Sequence, residues 1–531
     1  MKRQVDGTLP MTRRIYDVAI IGCGPAGAVA ANLFGRSGFK TLVIEHAHDI
    51  YDKPRAVALD HEIARVLQGL GMAEAIAPHI APFTASEYYG IGGRLIRRLD
   101  MLPPPHPQAW TPSMVFMQPA IEALLRQNLA KYPTVDVWLD ESLVSLAQND
   151  EAVNLQLRNA DGRTSDVTAR FVVGCDGASS TVRRELGITF DDLGFDEPWL
   201  VVDVLANEKG LAKLPLTSVQ YCEPERPTTF VMCTGGHRRW EMMLLPDEDP
   251  RHMEQPEQVW RLLNRWITPD DATLWRSTSY RFHALVAQRW RKGRVFLAGD
   301  AAHQQPPFLG QGLCQGIRDV VNLAWKLGRV LCGRSHADLL DSYEVERSAH
   351  VRKLTSIIKG IGGVIGERDH KRAIARDARL IEEAGGTVHS MPRQDLMPGL
   401  EKGILDPSCY PTAGTLFPQP WIIARDGRRR LDDVAGTDFK VVLSEAYDAD
   451  TRDLVRHCAA EGLHVFRITQ NAVAPSHALQ NFVEADSVVA QWFRRHGSIA
   501  AIVRPDNYVF AATKSTAELA AQINDLAALL R

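Results

Sequence analysis

The sequence predicts a multidomain α/β protein whose first and largest domain is built on a doubly wound parallel sheet. Three observations predict this class. The chain has 531 residues, enough for several domains. A glycine-rich turn joins two β-branched strand patterns near the N-terminus, and strand and helix patterns alternate again beyond residue 411. We therefore expect a Rossmann-like domain, an inserted mixed or antiparallel sheet, and a separate C-terminal α/β domain.

Composition and charge limit the partners that the protein can have. Hydrophobic residues make up 45% and charged residues 24% of the chain, and the net charge is −3. Basic and acidic residues are interspersed, so we expect neither nucleic acid nor a membrane as a partner. A small molecule is the expected partner.

The cysteines and the N-terminus predict a cytoplasmic protein without a metal site. The eight cysteines are scattered, with no C-x-x-C pair and no His/Cys cluster at zinc spacing. Arg13-Arg14 precedes an apolar run and resembles a twin-arginine export signal, but Asp17 interrupts that run and no small-residue cleavage site follows. The segment "EHAHD" at 45–49 follows a strand as a loop, and we expect no metal there.

The first motif is a dinucleotide-binding turn between a β-branched strand and an alanine-rich helix. Gly22 permits the tight turn, Gly24 admits a pyrophosphate, and Gly27 lets the helix pack against the strand. The helix N-terminus then directs free N–H groups at the phosphates. The second strand ends at Glu45, which can accept ribose hydroxyls. The residues expected around the phosphates are Gly22, Gly24, Pro25, Ala26 and Gly27.

A second motif favours FAD over NAD. The strand at 295–298 leads into Gly299-Asp300, where a strand-end carboxylate can bond sugar-like hydroxyls such as those of a ribityl chain. After a double proline, a helix N-terminus offers unpaired N–H groups and about half a positive charge, which suits the N1–C2=O edge of a reduced flavin. The residues expected along the flavin ring are Pro307, Gly310, Gly312 and Leu313.

A third motif, D-G-x-x-S-x-x-R at 176–183, lies between the first two. In this order and at these separations, the three motifs resemble those of the class A flavoprotein aromatic hydroxylases typified by para-hydroxybenzoate hydroxylase. Residues 53–62, Gln118-Pro119 and 343–347 resemble their counterparts in the branch that hydroxylates 3-(3-hydroxyphenyl)propionate and related phenols.

The resemblance implies roles for individual residues. Glu45 would hold the adenosine ribose, and Arg55 and Gln118 would contact the ribose, phosphate or ribityl part of FAD. Asp300 would bind the ribityl and pyrophosphate part, and Asp176-Gly177 would serve both FAD and the approach of the nicotinamide. No second complete G-x-G-x-x-G is present, which fits a family that binds NAD(P)H without its own Rossmann domain. The choice between NADH and NADPH stays open.

The implied activity is hydroxylation of a phenol with NAD(P)H and O₂ through a flavin C4a-hydroperoxide. The expected substrate resembles 3-(3-hydroxyphenyl)propionate or resorcinol. Two other classes stay open, because a fold does not determine chemistry: a non-hydroxylating FAD oxidoreductase and an FAD-binding sensor.

The segment at 190–290 has short alternating strands separated by turn residues, which predicts a mostly antiparallel sheet over the flavin. The residues expected to contact the substrate are Tyr221, Trp240, Met242 and His283. The residues expected to act as polar groups near the phenol are Asp60, His61 and Tyr221.

The expected domain organisation interleaves these parts. The FAD-binding domain comprises 1–189 and 291–365, the substrate sheet 190–290, and a helical linker 366–411. Residues 412–531 resemble the thioredoxin-like domain of the larger phenol hydroxylases, but they lack C-x-x-C. We therefore expect this domain to serve packing or homodimer formation.

Overall fold

The computed structural model describes residues 15–472 and 479–531. Arg13 and Arg14, which resemble an export signal, lie outside these ranges. Among the described residues, none of the helices has the length and apolar character needed to span a bilayer.

The first sheet is eight-stranded, and its central strands are parallel. Its middle strand is fully buried along the β-branched run at 18–20, since helices cover both faces. In spatial order the main path is Arg291–Lys292, Val295–Leu297, Thr164–Gly174, Ile15–Ile21, Thr41–Glu45 and Val135–Leu139. Off this path, Val153–Asn159 pairs with Thr164–Gly174, and Glu141–Gln148 pairs with Val153–Asn159. The helices of this part are Pro25–Arg36, His61–Gly69, Ala73–Ile76, Gln118–Asn128, Thr181–Glu185, Gly312–Leu331 and Asp341–Ile365.

The second sheet has nine strands and is mostly antiparallel. In spatial order its strands are His303–Gln304, Ala272–Ala287, Phe190–Ala206, His237–Met243, Thr228–Met232, Ser218–Tyr221, Ala85–Tyr89, Leu95–Asp100 and Ser390–Pro392. The sheet therefore extends beyond the predicted 190–290, because strands from before and after that range add to its edges. Short helices accompany it at Glu208–Leu211, Pro250–Met253 and Pro256–Leu263.

A third sheet is small and antiparallel. It comprises Ala58–Asp60, Ser113–Phe116 and Ile80–Pro82. The segment predicted as a helical linker holds the helix His370–Glu383 and then the edge strand Ser390–Pro392. Because that strand pairs with 98–100, the segment belongs partly to the second sheet.

The C-terminal part is the expected thioredoxin-like α/β domain. A five-stranded sheet runs in the order Gln480–Val483, His464–Thr469, Lys440–Leu443, Ala500–Val503 and Val509–Thr513. The first three strands are parallel and the last two antiparallel. A hairpin, Trp421–Ala424 with Gly427–Arg430, precedes it, and the helices are Leu431–Ala435, Arg452–Ala460, Val488–His496 and Thr516–Leu530.

Buried ion pairs attach the C-terminal domain to the first domain. The Arg504 guanidinium, fully buried, donates to Glu346 at 2.7 Å and to Asp506 at 2.6 Å. Arg65 donates to Asp432 at 2.6 Å. The Arg504-Pro505-Asp506 turn is thus part of a domain interface, where a lost partner would leave an uncompensated buried charge.

We predict that the C-terminal domain has no thiol redox role. Burial raises the pKa of Cys458 to about 12 and also raises the pKa of Cys409, so neither thiol ionises readily near neutral pH. Replacing Cys409 and Cys458 together by serine should leave activity within about threefold. Steady-state rates and melting temperature are the measurements. Collapse of the rate at unchanged melting temperature would contradict this prediction.

Candidate active site

A cavity of about 1410 Å³ lies between the first and second sheets. Its floor is formed by the ends of the parallel strands and by two helix N-termini, and its roof by the second sheet. The floor residues include Gly22, Gly24, Pro25, Ala26, Glu45, Arg55, Gln118, Asp176, Gly177, Asp300, Pro307, Gly310, Gly312 and Leu313. The structure therefore brings the predicted cofactor-binding residues together along one cavity, except Gly27, which packs against Gly22 and does not line it.

The three glycines of the first turn differ in what surrounds them. A Cβ on Gly22, whose φ is +98°, would lie 2.4 Å from the Cys175 carbonyl oxygen. A Cβ on Gly27 would lie 2.0 Å from the Gly22 carbonyl oxygen. A Cβ on Gly24 would meet nothing within 4 Å, so this backbone is open to the cavity. Two glycines therefore close the turn, and the third admits a ligand.

Glu45 is held at the end of its strand by two backbone donors. The N–H of Cys23 donates to its carboxylate at 2.6 Å, and the N–H of Ala47 donates at 3.0 Å. The nearby Gln118 accepts from the N–H of Ala56 at 2.5 Å, and Arg55 is exposed where it lines the cavity. These bonds pre-orient two polar side chains beside the glycine turn.

Asp300 presents a carboxylate with no hydrogen-bond or ion-pair partner anywhere in 15–472 or 479–531. It is exposed to the cavity but enclosed by protein. Desolvation therefore raises the pKa of its carboxyl above the ordinary value. The preceding Gly299 has φ +61°, and without a side chain its backbone can lie close to the helix Gly312–Leu331. A free acceptor at a strand end suits ligand hydroxyls.

The 176–183 loop uses its polar groups mainly on itself. Asp176 accepts from the Ser180 hydroxyl at 2.5 Å and from the N–H of Val182 at 3.0 Å. Arg183 donates to the carbonyls of Ala301 at 3.1 Å and Ala178 at 3.0 Å. The loop is therefore tied to the Gly299-Asp300 turn, and Gly177 contributes open backbone to the cavity.

The prediction that Trp240 and Met242 face the substrate site is wrong. Both are buried in the core on the other side of the second sheet, at 0% and 1% exposure. Successive residues of a strand point to opposite faces, so the neighbours Arg239 and Glu241 line the cavity instead. A shift of one residue thus separates a core side chain from a cavity side chain.

Tyr221 follows the same alternation and also lies off the cavity. Its hydroxyl accepts from the Trp266 indole at 3.0 Å, and the rings pack 5.3 Å apart. The cavity side of that strand carries Ser218 and Gln220. Of the predicted substrate contacts, His283 does line the cavity, with its Nδ1 3.3 Å from Asp196.

Asp60 and His61, predicted as polar groups near the phenol, do not line the cavity either. Asp60 caps a helix by accepting from the N–H of Ile63 at 3.1 Å, and it accepts from Arg318 at 2.5 Å. Burial lowers the pKa of His61 to about 4. Arg318 also binds Glu62 at 2.6 Å, so this cluster supports the fold.

The roof offers a polar row that sequence reasoning missed. Gln220, Thr229 and Glu241 are aligned in register across three neighbouring strands and all line the cavity. The Thr229 hydroxyl donates to Gln220 at 2.5 Å. Glu241 is 5% exposed, its carboxyl makes no hydrogen bond or ion pair with any other described residue, and burial raises its pKa to about 7. Strand alternation was the signal that could have found it.

The residues present fit FAD. The open Gly24 backbone, the oriented Glu45, the free Asp300 carboxylate and the helix beginning at Gly312 lie along one cavity. A Cβ on Gly312 would meet nothing within 4 Å, so that helix N-terminus is accessible. Fold and site together therefore define a flavin-binding protein of the α/β class.

Comparisons with known proteins specify the class further. The family described as FAD binding domain matches residues 15–357, and the HcaD C-terminal domain matches residues 414–529. The chain is 34% identical over 518 residues to the 3-(3-hydroxy-phenyl)propionate/3-hydroxycinnamic acid hydroxylase of Burkholderia cenocepacia (strain HI2424), covering 94% of each. It is 34% identical over 525 residues to the "Probable NADH-specific resorcinol 4-hydroxylase" of Rhodococcus jostii (strain RHA1), covering 97% of this chain and 95% of that one.

Solved structures share the fold. The flavin-dependent monooxygenase PieE, in complex with FAD and substrate, superposes with a TM-score of 0.80 at 21% identity, covering 97% of this chain and 99% of that one. Aklavinone-11 hydroxylase, with FAD and aklavinone, gives 0.76 at 23% identity, covering 98% and 100%. The chain belongs to the class A FAD-dependent aromatic hydroxylases, in the branch of the 3-(3-hydroxyphenyl)propionate hydroxylases. It is an NAD(P)H-dependent flavoprotein monooxygenase.

We predict that Asp300→Ala loses most of its FAD. Charge-assisted hydrogen bonds contribute about 1.5 to 3 kcal/mol each, so the affinity for FAD should fall at least about tenfold. Flavin absorbance of the purified protein and titration of the apoprotein measure this. Asp525→Ala, on an exposed position of the last helix, should keep one FAD per chain. Unchanged FAD affinity in Asp300→Ala would contradict the assignment.

Proposed function

We propose that the protein hydroxylates a small phenol of the type of 3-(3-hydroxyphenyl)propionate or resorcinol. The two relatives at 34% identity are named for phenols of these two types. The observation that carries the proposal is the polar row of Gln220, Thr229 and Glu241 on the cavity roof, opposite the helix N-terminus expected to hold the flavin. A ring between roof and floor would have its hydroxyl within reach of these groups.

FAD would be held by Glu45, Asp300 and the two helix N-termini at Pro25 and Gly312. Bound FAD supplies the transfer of electrons from NAD(P)H to O₂ and the activated oxygen for hydroxylation. The protein's own contribution is to bind and orient the phenol, to exclude water and to move its proton.

Exclusion of water would be the task of an aromatic cluster beside the cavity. Phe308 lies 5.4 Å from Trp199 and 6.3 Å from Phe282, measured between ring centroids. Phe308 and Phe282 line the cavity, and Phe83 adds a third ring. Such apolar walls lower the local dielectric around a reacting ring.

Glu241 would accept the phenolic proton. Its carboxyl has no competing hydrogen-bond donor among the described residues, and with a pKa of about 7 it is ionised above neutral pH, well below the phenol's own pKa near 10. A more phenolate-like ring is more nucleophilic at its ortho and para carbons. Thr229 and Gln220 would orient the hydroxyl.

We also propose a cytoplasmic location. All eight cysteines are free, as expected of a reducing compartment.

The reaction type predicts a specific product. A phenol of this class should accelerate NAD(P)H oxidation by the FAD-loaded protein and gain one oxygen atom. A panel of substituted phenols with NADH and with NADPH, followed by product mass in ¹⁸O₂, is the measurement. Products without label would exclude a monooxygenase, and oxidation that no phenol accelerates would favour a reductase or a sensor.

Glu241→Gln should change the pH dependence. In the parent protein Glu241 takes up its proton as pH falls through about 7, so the rate should fall below that pH. The variant should lose about 100-fold in rate at pH 7 and recover as pH approaches the phenol's pKa near 10. Stopped-flow rates against pH measure both.

Glu223→Gln is the matched control for this variant. Glu223 lies just after the strand Ser218–Tyr221 of the same sheet. It pairs with Arg265 at 2.6 Å and does not line the cavity. Its pH profile should match that of the parent protein. An unchanged profile in Glu241→Gln would remove Glu241 from the proton transfer.

A further inference from the structure

Arg393 is a buried cation contributed by the segment that sequence analysis assigned to a linker. It follows the edge strand Ser390–Pro392, whose pairing with the second sheet carries the chain back over the cavity. The side chain is 5% exposed and lines the cavity. Its guanidinium lies 4.9 Å from the centroid of the Phe83 ring.

Arg393 lacks a counter-ion. It donates one hydrogen bond, to the Leu309 carbonyl, and no carboxylate lies within ion-pair distance among residues 15–472 and 479–531. Apart from Arg183, the other buried arginines are each paired with a carboxylate: Arg65, Arg239, Arg276, Arg318, Arg347, Arg376 and Arg504. Arg183 bonds two carbonyls and does not line the cavity.

An unpaired guanidinium of this kind is unfavourable in a protein interior. Burial lowers the pKa of Arg393, yet an arginine keeps its charge at physiological pH. Its remaining donors form a planar fork that matches a carboxylate. The side chain is therefore suited to an anion that enters through the cavity.

The position of Arg393 relates it to the polar row on the roof. Ser86, on the strand Ala85–Tyr89, also lines the cavity, next to the strand Ser218–Tyr221 that carries Gln220. The strand Leu95–Asp100 follows in the same sheet and pairs with 390–392, so the sheet leads from Glu241 at one end of the row toward Arg393 at the other. Both charged groups line this one cavity, so they can face opposite ends of one molecule.

We propose that Arg393 is a specificity residue: it binds the carboxylate of the substrate and so selects phenols with a short acidic side chain over neutral phenols. This inference rests on the proposed function, in which Glu241 receives the phenolic hydroxyl. A phenol without an anionic group, such as resorcinol, would leave Arg393 without a counter-ion.

The test compares two ligands that differ in the anionic group. FAD-loaded protein without NAD(P)H is titrated with 3-(3-hydroxyphenyl)propionate and with 3-propylphenol, and the flavin absorbance reports the Kd. In Arg393→Met the Kd of the acid should rise about 10- to 100-fold, while that of 3-propylphenol changes less than about threefold. Arg393→Lys should recover part of the affinity for the acid, because it keeps the charge.

Arg281→Met is the matched control, since Arg281 also lines the cavity but is paired with Asp196 at 2.9 Å. It should leave the ratio of the two Kd values unchanged. Equal weakening of both ligands in Arg393→Met, or an unchanged Kd for the acid, would overturn the proposal. Loss of FAD from Arg393→Met would assign the arginine to the cofactor and overturn it too.

Failure of the proposed function gives a different pattern. Tight binding of the acid that depends on Arg393, without any acceleration of NAD(P)H oxidation, would support the anion site and contradict hydroxylation.

Discussion

The site depends on one buried carboxylate, Asp319, in the long helix Gly312–Leu331. Fully buried, it accepts from the N–H of Gly299 at 3.0 Å and from Arg347 at 2.9 Å, and it lies 2.7 Å from the ring of His303. These contacts hold the strand end that carries Asp300 against the helix whose N-terminus faces the cavity. A buried carboxylate is unfavourable without its partners. Asp319 therefore holds three elements in one arrangement: the Gly299-Asp300 turn, the helix Gly312–Leu331 and the helix Asp341–Ile365.

This arrangement also explains the segment 343–347. Tyr343 donates to the Leu297 carbonyl at 2.6 Å, Glu346 binds Arg504 at 2.7 Å, and Arg347 binds Asp319. None of the three lines the cavity. The segment thus connects the floor of the cavity to the C-terminal domain through buried hydrogen bonds and ion pairs.

The parts predicted well are those in which local backbone geometry and ligand contact coincide. Gly22, Gly24 and Gly27 must lie in one turn, and Asp300 must follow its strand. The predictions failed on the roof, where Trp240 and Met242 were selected for their size. Size favours burial in general, whereas the choice between core and cavity depends on which face of the strand each residue occupies. The prediction for Asp60 failed because a capping bond and an ion pair to Arg318 use its carboxylate in the fold, and His61 lies beside it without lining the cavity.

The sequence by itself determined the class and the cofactor, because a phosphate-binding turn and a strand-end acid are short-range patterns. Only the tertiary structure decided which groups of the second sheet face the cavity. Glu241 reaches the cavity through the pleat of a strand, and Arg393 reaches it through pairing of 390–392 with 98–100, nearly 300 residues earlier in the chain. The physical reason is that long-range packing determines which charged side chains are buried without a partner. The order of residues along the chain does not show this.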